Sequence, residues 1–289
     1  MGQVLETGIA MGSLYSLMAL GMVLIFRTTN VVNFAQGAMA MMSTYIAFAF
    51  LTSLHWPVWA ALIAAMASSL ALGALVERVF IDHSSRPSAP IASLIITLGL
   101  YSVLEGVATI IWGANPTAFP WTLNGIFWHR GHLVVSTNDA ATFAVTLILV
   151  VGLFALLRWT RIGLAMRAMA QDASTAQLMG ISLAKISSST WALGSALGAV
   201  SALFLLPITY LQPTMMDTAL LLAFSAAVLG GFSNLPGTLL GGLIVGVLES
   251  LVGVYVSNQL QNTVVFALII VVLYLRPQGL LGRHDIKKV

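Results

Sequence analysis

The sequence predicts an all-α, polytopic bundle of about eight or nine transmembrane helices, and three observations carry that prediction. Only 21 of the 289 residues are charged, twelve Lys and Arg with nine Asp and Glu, whereas an average soluble domain carries about 25%. Hydrophobic residues make up 59% of the chain and mean hydropathy is +0.97. A soluble domain of this length would be left with apolar patches that drive association, so lipid is the solvent that fits. Third, the apolar residues come in runs near the ~20 residues that a helix needs to cross a bilayer core.

Nine such segments are expected: 8–26, 33–54, 57–77, 90–112, 139–157, 186–211, 218–234, 237–256 and 260–275. Pro57 and Pro90 suit first-turn positions and Asp139 suits a helix cap. Pro207 should bend the sixth segment, and Pro236-Gly237 should start a new helix. The last three segments are close together and Gly-rich, which leaves eight spans plus a re-entrant stretch as the alternative. Gly8/Gly12, Gly194/Gly198, Gly237/Gly241 and Gly242/Gly246 are spaced for close helix packing in the absence of hydrophobic attraction between helices.

Nine crossings put the termini on opposite sides. With the N-terminus outside, the inside receives Arg27, Arg78, Arg86, Arg158, Arg161, Arg167, Lys185, Arg276, Arg283, Lys287 and Lys288, and only Arg130 falls outside. The positive-inside rule then expects a cytoplasmic C-terminus. Residues 1–7 carry no Lys or Arg, and Ala38-Met39-Ala40 resembles a cleavage site only by composition, so the first span is expected to be retained. A single membrane domain, 1–289, is expected. The external loop 113–138 carries Trp121, Trp128, His129 and His132 next to Trp112, aromatics suited to an interface. The cytoplasmic loop 158–185 is basic, and neither loop is long enough for a core of its own.

Several function classes drop out. The net charge of +3 is small and serves orientation, which excludes a nucleic-acid binder. Zero Cys excludes disulfides, thiolate metal sites and a cysteine nucleophile. No lysine follows a glycine, so there is no phosphate loop of the Walker type. The five His show no ligand spacing beyond the isolated pair His129/His132. Neither a metal nor a cofactor is expected.

The polar residues inside the spans carry the functional reading. Asn30 or Asn33 can cap a helix and Gln36 lies one turn deeper; a half-helix N-terminus there offers N–H groups to an anionic solute, while an ordinary capped turn is the plainer reading. Glu105 and Glu249 are the deepest carboxylates, and intramembrane charge costs roughly 2.5–3.5 kcal/mol on insertion scales, so both should face protein or water. Asn33, Gln36, Glu105 and Glu249 are therefore candidate path residues, with helix-packing hydrogen bonds as the alternative for the two acids. In the cytoplasmic loop, residues 171–181 read as a short helix capped by Asp172 and ended by Gly180. Its apolar knob, Leu178, Met179 and Ile181, is either a docking element or a helix lying on the bilayer.

Four blocks together resemble the LivH-type permease subunit of branched-chain amino acid ATP-binding-cassette importers. They are Asn33-Phe34-Ala35-Gln36-Gly37, the loop from Arg167 to Ile181, the run from Val228 to Gly237 (VLGGFSNLPG), and Leu275-Arg276-Pro277-Gln278-Gly279-Leu280. The likeness runs from about residue 8 to residue 282. Departures stand at Gln36, where the family usually has His, and at Ala38, usually acidic. The resemblance implies a second related permease, two cytoplasmic ATPases and a periplasmic solute-binding protein as partners, in a bacterial inner membrane. It also makes Asp172, Gln177, Leu178, Met179, Gly180 and Ile181 the helix that couples to the ATPase. Urea and short-chain amide importers share this permease type. From another class, a proton-coupled secondary transporter would use Glu105 or Glu249, and the long basic loop favours the ATP-driven reading over it.

Overall fold

The computed structural model describes residues 1–81, 90–120, 125–130, 133–276 and 279–280. Arg86, Trp121, His132, Pro277, Gln278, Arg283, Lys287 and Lys288 lie outside the described residues. All nine apolar segments fold as helices: α1 (Gly2–Thr29), α2 (Gln36–Ser53), α3 (Val58–Val76), α4 (Pro90–Trp112), α5 (Thr137–Trp159), α8 (Leu183–Leu205), α9 (Asp217–Gly230), α10 (Leu235–Tyr255) and α11 (Gln261–Leu275). Two more, α6 (Arg161–Gln171) and α7 (Ala173–Leu178), fill most of the predicted cytoplasmic loop. Seven of the described helices are long and apolar enough to cross a membrane by themselves; α2 and α9 are not among them.

α1 and α8 are the innermost helices, whereas α4 and α11 expose most of their surface. Glycines permit the central contacts. A Cβ on Gly12 would lie 2.8 Å from the Gly242 carbonyl, and one on Gly246 would lie 2.2 Å from the Gly12 nitrogen, so α1 and α10 touch backbone to backbone. Serines then bond across the seams: Ser16 donates to the Leu239 carbonyl at 2.9 Å and Ser201 to that of Leu14 at 2.9 Å. Such bonds and close packing replace the hydrophobic drive that lipid cannot supply.

Local expectations are corrected in four places. The cap of α5 is Ser136, whose hydroxyl accepts from the Asp139 N–H at 3.0 Å; Asp139 sits in the first turn. Pro57 is the cap residue of α3. The sixth segment does not bend at Pro207 but ends at Leu205, because the proline ring excludes a continuing helix. The loop predicted to be external holds a hairpin of β1 (Ile126–Arg130) and β2 (Leu133–Ser136). The Gln3 side chain clamps it to α1, donating to the Val134 carbonyl at 2.9 Å and accepting from its N–H at 3.0 Å.

Candidate functional site

Two helices begin at half the depth of the bundle. α1 ends at Asn30, which takes a left-handed φ of 54°. The chain then turns back inward without helical bonds until α2 opens at Gln36. Gln36 Nε2 donates at 2.7 Å to the carbonyl of Gly194, the central residue of α8 (Leu183–Leu205). Open backbone at that depth survives only where protein satisfies it. Asn33 does this: its Oδ1 accepts from the Ala35 N–H at 3.1 Å and its Nδ2 donates to Gln36 Oε1 at 3.0 Å. Neither Asn33 nor Asn30 caps α2, then; Asn33 braces the turn before it. Asn33 and Gln36 are fully buried, and a Cβ on Gly21 or Gly198 would come within 2.9 Å of Gln36 Nε2. The two predicted residues come together as a clasp whose hydrogen bonds are made inside the protein.

α9 begins beside them. A Cβ on Gly37 would sit 3.3 Å from that of Met216, the residue before Asp217. Asp217, first in α9, accepts at 3.0 Å from the hydroxyl of Tyr101, itself central in α4 (Pro90–Trp112). Glu105, one turn along α4, is close enough for its charge to act on both. By hydropathy the span begins at 218, one residue after this carboxylate neighbour of Glu105. An acid immediately preceding an apolar run was the available signal, since helix N-termini favour acids. Glu249 stands apart on α10, beside the Tyr15 hydroxyl of α1, with its Oε2 buried and without a hydrogen bond. The structure does not bring the two glutamates together. Their surroundings differ: a second acid and the start of α9 near Glu105, the seam between α1 and α10 around Glu249.

At the basic end, the chain turns sharply from α5 into α6. Thr160 caps α6 by accepting from the Gly163 N–H at 3.0 Å. A Cβ on Gly163 would lie 2.2 Å from the Leu156 carbonyl, so the elbow closes only with glycine. α7 follows. The Asp172 carboxylate accepts from the hydroxyls of Ser174 and Thr175, both at 2.7 Å, and from their N–H groups at 2.9 and 3.2 Å. Those bonds, the Ser174 hydroxyl foremost, hold its carboxyl well below the usual carboxylate range. The C-terminal end is equally closed. Ile181 N–H donates to the Ala176 carbonyl at 3.1 Å and Gly180 takes φ 84°, the turn that favours glycine after a helix. Ala176 is buried against the bundle, while Leu178 is 87% and Met179 79% exposed. Gln177 is exposed beside them, and Ile181 is half-buried, so two residues rather than three project.

Helices that start at mid-depth, an interior closed by buried polar clasps and a rigid projecting tip define a multi-pass membrane permease. The family model described as branched-chain amino acid transport system / permease component matches residues 4–273. The chain belongs to that family. It is 32% identical to the high-affinity branched-chain amino acid transport system permease protein LivH of Escherichia coli (strain K12), over 99% of this chain and 97% of that one. It is 33% identical to BraD of Pseudomonas aeruginosa over the same shares, and 33% identical to a probable LivH of Methanocaldococcus jannaschii over 96% and 92%. Among solved structures, PsaBC from Streptococcus pneumoniae in complex with Fab shares the fold. The TM-score is 0.51 at 13% identity, covering 96% of this chain and 91% of that one.

Proposed function

We propose that this chain is the translocating subunit of an ATP-binding-cassette importer for branched-chain or related amino acids. It works in a bacterial inner membrane with its C-terminus in the cytoplasm. A second related permease completes the path, two cytoplasmic ATPases drive it, and a periplasmic binding protein delivers the solute. The observation that carries this reading is the capped helix α7 with Leu178 and Met179 projecting from it. Apolar side chains left in water on a rigid, fully bonded helix are what a groove in a partner accepts, and buried apolar anchors dominate such contacts. ATP is hydrolysed on the partner, and α7 carries its movement to the spans as one piece.

The path passes the meeting point of α2 and α9. An amino acid zwitterion needs a cation-binding and an anion-binding group. Asp217 and Glu105 supply the first, and the N-terminal end of α2 supplies the second. Asn33 and Gln36 hold that end of α2 in place, and Glu249 packs α1 against α10.

The test is ATP-dependent leucine uptake into proteoliposomes holding the assembled complex, with urea as the competing solute. Leu178→Asp is expected to insert at wild-type yield, to lose the ATPases on co-purification and to abolish uptake. Gly180→Val, strained at φ 84°, should uncouple hydrolysis from uptake. Wild-type uptake by Leu178→Asp with the ATPases still bound would sink the docking role. Transport of urea in place of leucine would move the chain to the amide importers.

A further inference from the structure

A cavity of about 540 Å³ opens at the basic end of the bundle, between the C-terminal ends of α1 and α5, the helix α6 and the start of α10. Three guanidinium side chains from three helices converge on it: Arg27, Arg158 and Arg167. Among the described residues no acid lines the cavity. Residues 233–236, the cap and opening residues of α10, form one wall, which adds the positive end of a helix to the three cations. Its floor is of another kind. Leu24, Phe154 and Leu157 lie there, on the sides of α1 and α5 that descend into the membrane.

We propose that this cavity binds the headgroup of an anionic phospholipid, its phosphate held by Arg27, Arg158 and Arg167. A cationic mouth above an apolar floor fits an amphiphile. A free anion has nothing to place against Leu24, Phe154 and Leu157, and an acidic protein loop would leave that floor wet. The surroundings place the mouth at the membrane surface. Trp159 is 79% and Ile162 49% exposed next to the elbow, and tryptophan is the residue enriched at the headgroup level. Exposed Leu147, Ile148 and Val151 continue the apolar surface of α5 along which an acyl chain would lie. A lipid seated there ties α6 to α1 and α10 and braces the elbow that carries α7.

The experiment uses the purified, delipidated complex and native mass spectrometry with added phosphatidylglycerol or phosphatidylcholine. The wild type should retain phosphatidylglycerol in preference to phosphatidylcholine. The triple variant Arg27→Gln, Arg158→Gln, Arg167→Gln should lose about a hundredfold in phosphatidylglycerol affinity, each surface cation contributing roughly fivefold. Arg158→Gln alone, at an exposed position, should lose roughly fivefold and serves if the triple variant does not insert. The control Arg161→Gln with Lys185→Gln, which removes two cations elsewhere at the same end, should keep the lipid. Equal retention of both lipids, or unchanged affinity in Arg158→Gln, would overturn the proposal. Two other results would do so too: full displacement by inorganic phosphate at matched concentration marks a free-anion site, and loss of the ATPases with lipid binding intact assigns the arginines to a protein partner.

Discussion

Gln36 and Gly194 are joined by a 2.7 Å hydrogen bond at the midpoint of α8, and this bond marks the depth at which α2 begins. The pairing is sterically exclusive. A Cβ on Gly21 or Gly198 would press on the same amide, so the slot is cut to one side chain.

Gln36→Leu should therefore keep the volume and lose the clasp. It removes the bond to the Gly194 carbonyl and the one from Asn33 Nδ2, each hydrogen bond contributing about 0.5–1.5 kcal/mol net. The expected result is a lower thermal midpoint for the detergent-purified permease. An unchanged midpoint would mean that the amide contributes nothing to holding α2.

Gly163→Ala tests the elbow. One methyl 2.2 Å from the Leu156 carbonyl and 2.5 Å from Leu157 Cα forces α6 off α5, an overpacking worth roughly 1–3 kcal/mol. Since α7 rides on α6, ATP-driven uptake should fall far more than membrane yield. Uptake per inserted molecule, compared with wild type, reads this directly.

Glu105→Gln and Glu249→Gln separate packing from proton coupling. Glutamine retains a hydrogen-bonding side chain, so Glu249→Gln should preserve most ATP-dependent uptake, whereas Glu105→Gln, which removes one of the two carboxylates proposed to take the solute's ammonium, should lower it without abolishing it. Uptake driven by a pH gradient without ATP, abolished by either change, would establish the proton-coupled mechanism instead.

Asp172 gives a pH prediction. Its folded carboxyl is held below the ordinary range, so the stabilisation it lends α7 is fully present above that range and is lost as pH falls below it. Amide protection in α7, corrected for intrinsic exchange, should be the same at about pH 5 and about pH 8, both above the unfolded carboxyl's ~3.9. Asp172→Ala should reduce that protection at both values and weaken coupling more mildly than Leu178→Asp.

The apolar segments were legible because crossing lipid imposes one length and one composition on every span, and all nine fold as helices. Depth was not legible. Nothing in Val31–Ala35 says that the chain re-enters the bundle before α2 starts, since a capped turn at the surface would use the same asparagines. Asp217 fell just outside its predicted span because hydropathy trims acids from segment ends, although Tyr101 makes a place for it. α6 was hidden by Arg161 and Arg167, which read as loop yet leave Met166 and Met169 buried on one face. The hairpin escaped because its strands are short and lack the alternation that marks a half-buried sheet. The cap and glycine turn of α7 could be read directly, being local chemistry within ten residues.

α1, the most enclosed span with α8, also has a consequence for how the protein is made. Its bonding partners lie far along the chain: Ser201 reaches Leu14 across 187 positions, Leu239 meets Ser16 across 223, and Ser250 meets Val4 across 246. At synthesis rates of about 5–20 residues per second, α1 spends tens of seconds in the membrane before α10 exists. Its 28 mostly apolar residues let it wait in lipid as a lone helix, with its serines bonded to their own preceding turns, as Ser13 is to Ile9 and Ser16 to Gly12. α1 is thus made well before the helix that encloses it.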